Sequence, residues 1–333
     1  MKMQAFCIID NFNNGGFTVR NESSVHFEVW RVQAIILCKV LLLLAFLMPL
    51  NSSAKTYSAD LTNSQWYLSA SIFECSLTHP IPRYGKGVFY HEAGENLKFY
   101  LNANANPMKS GDAALVIEAP QWRPGNGVRN LGYVPVKDTA KPIVVERKNA
   151  RTMMEGLMDG MTPTFTRRSW YNDESVRVRV SSVNFPSFYN DYLNCVASLL
   201  PVNFKQVERT KVLFKVDKAE LTESDYEILE KVVIYVKADN TVTSIVIDGH
   251  TDSSGRRIYN RRLSKDRSEV VRAYFIANGI PEEMITTRYH GERYPVAKNN
   301  TKANKAKNRR TTVRLEKGTR MASNSNENAT PEG

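Results

Sequence analysis

The stretch 248–267, DGHTDSSGRRIYNRRLSKDR, sets a condition that any fold of this chain must meet. It reads as the end of a β-strand, an acidic loop and the first half of a helix that runs from about Arg257 to Ala277 and stops at Asn278-Gly279, with Pro281 beyond. With about 100° per residue, Leu263, Val270, Val271 and Tyr274 share one helical face. Arg267 falls in the middle of that apolar face, and Asn260 lies on it too. A charge placed there is costly unless it is paired and hydrogen-bonded. Asp252, in the loop just before the helix, is the expected protein partner, and a small zwitterionic ligand is the other way to satisfy the arginine. The pattern points to a binding site rather than to a solvated charge.

The elements around this stretch define an α/β segment. Residues 211–215 and 243–248 read as strands, 284–289 as a third and 310–315 as a fourth. A helix capped at Leu221-Thr222 runs through Lys237, with Glu223 and Asp225 in its first turn, and a short basic helix falls near 301–307. This βαβαβ-type order implies a two-layer α/β sandwich. Residues 55–206 look different. Short apolar or alternating runs at 87–90, 97–101, 114–117 and 175–180 are separated by turn signals at 79–82 and 124–127, which suggests a mostly antiparallel β domain, a sandwich or a small barrel. Short helices are expected at 149–160 and 188–200. Arg177 and Arg179, alternating with valines, read as the solvated side of a half-buried strand. The fold class is therefore α+β, with 1–54 as an N-terminal extension and export signal, 55–206 as the β-rich domain, 207–317 as the α/β domain and 318–333 as a disordered tail.

The export signal rests on the apolar run Val40–Leu50 after Arg31 and Lys39, followed by Ser52 and Ala54 at the −3 and −1 positions of a cleavage site. An uncleaved membrane anchor is the alternative. Residues 1–30 precede this signal, and translation is expected to start nearer to it, at Val29 or Val32. Cleavage after Ala54 leaves Cys75 and Cys195, which in an exported chain read as one disulfide, two buried thiols being the alternative. The net charge of +11 calls for a polyanionic partner: nucleic acid, an anionic membrane or an acidic wall polymer. That charge is uneven. Residues 208–252 hold 6 Lys/Arg against 10 Asp/Glu, and residues 253–320 hold 18 against 6, so the basic character gathers on the last part of the α/β segment. Export argues against nucleic acid. His79, His91, His250 and His290 are scattered, and no nucleophile–base pair, metal cluster or cofactor motif stands at a suitable spacing, so no catalytic residue, metal or cofactor is expected.

Residues 208–317 resemble the OmpA-like peptidoglycan-binding domain. The resemblance is carried by Asp248–Asp252, Gly255, Tyr259-Asn260, Leu263-Ser264, Arg267, Gly279, the Tyr289–Glu292 turn, Pro295–Ala297, Asn299 and Asn308–Arg310. It implies binding of the peptide stem of peptidoglycan, chiefly its diaminopimelate, with Asp252 taking the ammonium and Arg267 the carboxylate, and with Thr251, Asn260, Leu263, Asn308 and Arg310 completing the site. Tyr289-His290-Gly291 departs from the usual Gly-Tyr-Gly turn. From the residues alone, Asp252 can equally cap its turn, and Arg309 and Arg310 read as a solvated charge pair. The N-terminal half is similar to the MotY family of sodium-driven flagellar motor proteins, through Phe73–Pro82, Gly85, Val88-Phe89, Ala119–Gly125, Ser181–Phe185, Tyr189-Asn190, Cys195 and Leu199-Leu200. That resemblance implies the Cys75–Cys195 disulfide and a non-catalytic periplasmic role. The N-terminal domain would join the flagellar basal body with MotX in the T ring near the outer membrane, helping to install the PomA/PomB stator. Trp66 and Trp122 serve either core packing or a partner contact. A general tether between outer membrane and peptidoglycan is the alternative function.

Overall fold

Ten strands follow one another from Lys55 to Arg179 in a computed structural model that describes residues 54–318, except 121–124, 126 and 173. The export signal and translation start, Trp122 and the tail beyond Gly318 lie outside the described residues. The strands are β1 (Lys55–Tyr57), β2 (Tyr67–Ala70), β3 (Glu74–Ile81), β4 (Gly85–Glu92), β5 (Lys98–Ala103), β6 (Gly111–Glu118), β7 (Arg129–Val136), β8 (Ile143–Val145), β9 (Thr162–Arg168) and β10 (Ser175–Arg179). They form one open sheet in the order β1-β10-β9-β6-β7-β8-β5-β4-β3-β2, antiparallel throughout except at β1–β10. The expected mostly antiparallel β domain is present, built as one ten-stranded sheet rather than as two facing sheets. Two helices supply the second layer: α1 (Arg147–Met158) buries Ala150, Met153, Met154 and Leu157, and α2 (Phe185–Ala197) buries Phe185, Tyr192 and Cys195. Strict alternation of buried and half-exposed residues in β3, β5 and β6 aims one face of the sheet at these helices. Between them lies an aromatic core, in which Phe99 packs on Phe165 at 5.7 Å and on Phe89 at 4.8 Å, and Trp66 on Phe185 at 4.9 Å. Trp66 is thus a core residue, only 1% exposed.

Two local readings change. The proline-containing segment 79–82 belongs largely to β3 rather than to a turn. β2 pairs with β3 only as far as Thr78, so Pro80 has a neighbouring strand on one side alone and its missing N–H costs no ladder bond on the other. Arg177 and Arg179 stand on the half-exposed side of β10, as the alternation implies, but they are paired rather than free. Both reach across β9 to Glu118 at 2.6 Å, and Thr164 donates a further hydrogen bond to the same carboxylate. Burial opposes ionisation of Glu118, but the bonds from Arg179 and Thr164 and the charge of Arg177 outweigh it and hold the carboxyl below its usual range.

The remaining chain builds a four-stranded sheet. A short helix α3 (Phe204–Val207) leads into β11 (Arg209–Leu213), α4 (Glu223–Ala238), β12 (Val242–Gly249), α5 (Arg257–Ala277), β13 (Ile285–Tyr289), α6 (Lys302–Asn308) and β14 (Arg310–Lys317). The strand order is β11-β14-β12-β13, with only β12 and β13 parallel. The apolar faces of α4 (Leu229, Val232, Val236) and α5 (Val271, Phe275) pack on Ile245, Ile247, Val313 and Leu315 in a second core. Gly249 lets α5 come close, since a Cβ there would sit 2.0 Å from the Ser264 carbonyl oxygen. At the junction of the two sheets, Tyr235 of α4 packs between Phe73 and Phe204, each at 5.8 Å. Gln206 donates to the Gly94 carbonyl at 3.1 Å across the same junction.

The Cys75–Cys195 disulfide ties β3 to α2 across 120 residues, with a Cα–Cα distance of 6.1 Å. For a loop of that length the chain-entropy model gives up to roughly 5 kcal/mol. Cys75→Ser should therefore lower stability by about 2–5 kcal/mol and lower the steady-state amount of protein in the cell. Denaturant titration and quantitative blotting check this, and unchanged stability and abundance would refute it. His79 makes a second prediction. It is fully buried, its Nδ1–H donates to the Gln65 carbonyl at 2.8 Å, and its Nε2 accepts from the Ser181 N–H at 3.4 Å, so the neutral ring satisfies both neighbours. Burial lowers its pKa to about 4, with the Gln65 bond opposing. Between pH 6.5 and 4 the unfolded chain binds a proton that the folded chain does not. The stability linked to His79 is therefore complete at neutral pH and is lost on acidification, by about 3 kcal/mol across that window. Unfolding free energies measured at pH 7 and pH 4.5 should differ less in His79→Gln than in the wild type.

Candidate functional site

Arg267 sits on the buried face of α5 with no exposed surface, as its helical position requires. Its guanidinium is held by backbone. Nε donates to the Lys218 carbonyl at 2.9 Å, Nη1 to His250 at 3.0 Å and Nη2 to Lys215 at 3.1 Å, and the group lies over the Phe214 ring at 5.1 Å. Three of the five N–H donors of an arginine are used in this way. Burial, followed by repulsion from Arg309, lowers its pKa to about 10, so it stays charged at neutral pH. The expected partnership with Asp252 is not formed. Asp252 is paired instead with Arg309, Nη1 to Oδ2 at 3.0 Å, and its Oδ1 accepts from the Ser254 N–H at 2.8 Å. The reason is local: the second bond is an Asx turn that fixes the carboxylate, and the loop carbonyls already occupy the near side of Arg267. Burial raises the Asp252 pKa, but the Ser254 N–H and Arg309 outweigh it and keep the carboxyl below its usual range.

Asp252 and Arg267 nevertheless line one cleft of about 270 Å³, at the end of β12 and beside the first three turns of α5. Thr251, Asn260 and Leu263 line it with them. Thr251 donates its N–H to the Gly291 carbonyl at 2.9 Å, while its buried Oγ1 has no hydrogen-bond partner. Asn260 Nδ2 donates to Glu292 Oε2 at 2.6 Å, and Leu263 gives an apolar wall. Asn308 and Arg310 do not line the cleft. Asn308 is fully buried and holds a turn: its Oδ1 accepts from the N–H groups of Val296 (2.9 Å) and Ala297 (3.1 Å), and its Nδ2 donates to the Ala297 carbonyl and to Asn299 Oδ1, each at 2.8 Å. Asn299 Oδ1 in turn accepts from the Ser253 N–H at 3.3 Å, so Asn308 steadies the site loop from behind. Arg310 is buried and donates to the Tyr294 carbonyl at 3.1 Å. The reading of Arg309 and Arg310 as a solvated pair therefore fails for both.

The cleft also has residues that the helical period could not reveal. Arg309 reaches it from the turn before β14, and Val216 and Asp217 from the turn after β11, where Asp217 accepts a hydrogen bond from the Tyr259 hydroxyl. Their only sequence signal is membership of a short polar turn or of the Asn308–Arg310 motif. Two of the histidines read as scattered come together. His250 and His290 stack at 4.9 Å, and Nε2 of His290 bonds Asp248 at 2.7 Å, a carboxylate also gripped by Arg288 at 2.9 Å. Burial, then the charges of Arg310 and His290, lower His250 to about 4, so it is neutral near pH 7. The turn that departs from Gly-Tyr-Gly keeps one needed glycine, Gly291 at φ +59°, whose N–H is bound by Ser264 Oγ at 3.0 Å. Among the described residues no group of three or more His, Cys, Asp or Glu is placed to hold a metal ion. The cleft offers charges of both signs, Arg267 and Arg309 with Asp252 and Asp217, beside an apolar wall.

Comparison with known proteins follows the same division of the chain. A family model of the MotY N-terminal domain matches residues 57–201, and the model of the OmpA family matches residues 213–309. The sodium-type flagellar protein MotY of Vibrio parahaemolyticus is 32% identical over 268 residues, which cover 78% of this chain and 90% of that protein. The peptidoglycan-binding protein ArfA of Mycobacterium tuberculosis is 38% identical over 104 residues, 31% of each chain. Among solved structures, the peptidoglycan-associated lipoprotein from Burkholderia pseudomallei matches with 27% identity and a TM-score of 0.31, covering 32% of this chain and 89% of that one. A match at this identity along nine-tenths of a relative shows that this chain belongs to the MotY family of sodium-type flagellar motor proteins.

Proposed function

We propose that this protein is a non-catalytic, periplasmic component of the sodium-driven polar flagellar motor, and that its Asp252–Arg267 cleft grips peptidoglycan through the diaminopimelate of the stem peptide. The observation that carries this reading is that an aspartate and an arginine, both fixed by backbone hydrogen bonds, face one cleft. Diaminopimelate presents an ammonium and a carboxylate at short spacing, and two charge-assisted hydrogen bonds match it. Arg309 already neutralises Asp252, so the ammonium binds by sharing that carboxylate rather than by meeting a bare charge. The family of the N-terminal half supports the rest. In this reading the ten-stranded sheet joins MotX and the basal body in the T ring, and the protein helps to hold the PomA/PomB stator beside the wall.

Co-sedimentation with purified peptidoglycan tests the cleft. Asp252→Ala should weaken binding at least about tenfold, the cost of one lost charge-assisted hydrogen bond. Arg267→Lys, which keeps the charge but not the planar fork, should weaken it similarly. Thermal melts of both variants separate loss of the site from loss of the fold. Equal sedimentation of all three folded proteins would sink the assignment.

A further inference from the structure

A second, smaller hollow of about 120 Å³ lies on the other side of the first turns of α5. Arg257, Arg261 and Arg293 line it, together with His290, Gly291 and Glu292. Arg257 and Arg261 stand one helical turn apart and share a face, whereas Tyr259, Asn260 and Leu263 look into the Asp252–Arg267 cleft. Gly291 brings the turn close: a Cβ at that position would lie 3.3 Å from the Arg261 backbone nitrogen.

The charges around this hollow are not balanced. Among the described residues Arg257, Arg261 and Arg293 form no ion pair. Some neighbouring arginines are paired, Arg272 with Glu269 and Glu282, Arg288 with Asp248, and Arg309 with Asp252, while Arg256 and Arg262 likewise form no ion pair among the described residues; what sets Arg257, Arg261 and Arg293 apart is that they line one hollow. Glu292, in the hollow's wall, accepts from the neutral amide of Asn260 at 2.6 Å and keeps its own charge, so the three arginines outnumber the one carboxylate, and His290 is engaged by Asp248 at 2.7 Å. Arg261 lies over the Tyr289 ring at 5.2 Å, which orients its planar group without neutralising it. Three guanidiniums around one concavity repel each other, and an anion entering it relieves that repulsion. Their planar forks suit a carboxylate. Asn260 lines the Asp252–Arg267 cleft and its hydrogen-bond partner Glu292 lines the second hollow, so the two hollows adjoin across this one bond.

We propose that this hollow is a carboxylate subsite, and that it takes the free α-carboxylate of the D-glutamyl residue adjoining the diaminopimelate on the same stem peptide. This rests on the reading of the Asp252–Arg267 cleft given above. The subsite gives the basic excess of this part of the chain a specific task, reading whether the stem carries a free acid or an amide at that position.

Calorimetric titration of the purified full chain tests it with three ligands: meso-diaminopimelate, the tripeptide L-Ala-γ-D-Glu-meso-diaminopimelate, and the same tripeptide with its D-glutamyl α-carboxylate amidated. The wild type should bind the free-acid tripeptide about tenfold tighter than the amide, the worth of one charge-assisted pair. The variant Arg257→Gln/Arg261→Gln/Arg293→Gln should lose that preference and keep its affinity for diaminopimelate. A control, Lys298→Gln/Lys302→Gln/Lys307→Gln, removes the same charge from other exposed positions and should keep the preference. Equal affinity of the wild type for the two tripeptides overturns the subsite, as does a preference that survives in the arginine variant or vanishes in the lysine control. Failure of diaminopimelate itself to bind the wild type would instead remove the reading of the cleft, so the two failures are distinguishable.

Discussion

A guanidinium without exposed surface, bound to three backbone carbonyls, is the constraint around which the four-stranded half of this protein is arranged. An arginine so buried is costly until its donors are met. Here they are met by Lys215 and Lys218 in the segment after β11 and by His250 at the end of β12. One side chain of α5 therefore joins two loops that leave different strands. Those loops carry Val216, Asp217, Thr251 and Asp252, which form much of the cleft wall. In the proposed reading, the residue that orders the cleft is thus also one of the two that would bind the ligand. This is the economy expected of a rigid recognition site, in which a ligand meets groups already in place and little ordering is left to be done on binding.

Charge at the cleft is distributed by the same logic. Arg267 has carbonyl dipoles as its nearest partners, and Asp252 has Arg309. Neither ion is left bare when the cleft is empty, yet each keeps capacity, since two N–H donors of Arg267 are not used by the carbonyls and each carboxylate oxygen of Asp252 can accept more than one bond. Behind them stand groups that never touch the cleft. Asn308 spends all four of its hydrogen-bonding positions on the 296–299 turn, and Asn299 passes that order to Ser253, next to Asp252. Loss of such a support would disturb the site without removing any contact to a ligand.

The helix that carries Arg267 was legible in the sequence to its ends, 257–277, because apolar period and the Asn278-Gly279 stop agree there. So was the burial of Arg267 and Asn260. The identity of Arg267's partners was not. They are backbone carbonyls 17, 49 and 52 residues away, and a sequence pattern shows side chains, not the direction of a carbonyl. The proximity of Asp252 in sequence pointed to the wrong pair for this reason. The N-terminal half shows the same limit at larger scale. Alternation along β3, β5 and β6 told which face is buried but not what covers it, and the cover is α1 and α2 rather than a second sheet. Arg177 and Arg179 looked unpaired because Glu118 is 59 and 61 residues away.

What joins the two halves bears on the proposed role. If the cleft holds the wall and the ten-stranded sheet holds the motor, any pull between them passes through the junction at Tyr235. That ring is packed between Phe73, from the turn before β3, and Phe204 of α3, and Lys317 Nζ sits 4.2 Å above Phe204 while paired with Asp239 at 2.8 Å. Phe73 lies two residues before Cys75, whose disulfide reaches α2, and the chain from α2 leads directly through Leu200 and Val202 into the second core. The cross-link therefore stands beside the junction and not at a remote edge of the sheet. It closes a ring of covalent structure at the place where the two cores meet, which is where a protein that works as an anchor has most to lose from local opening.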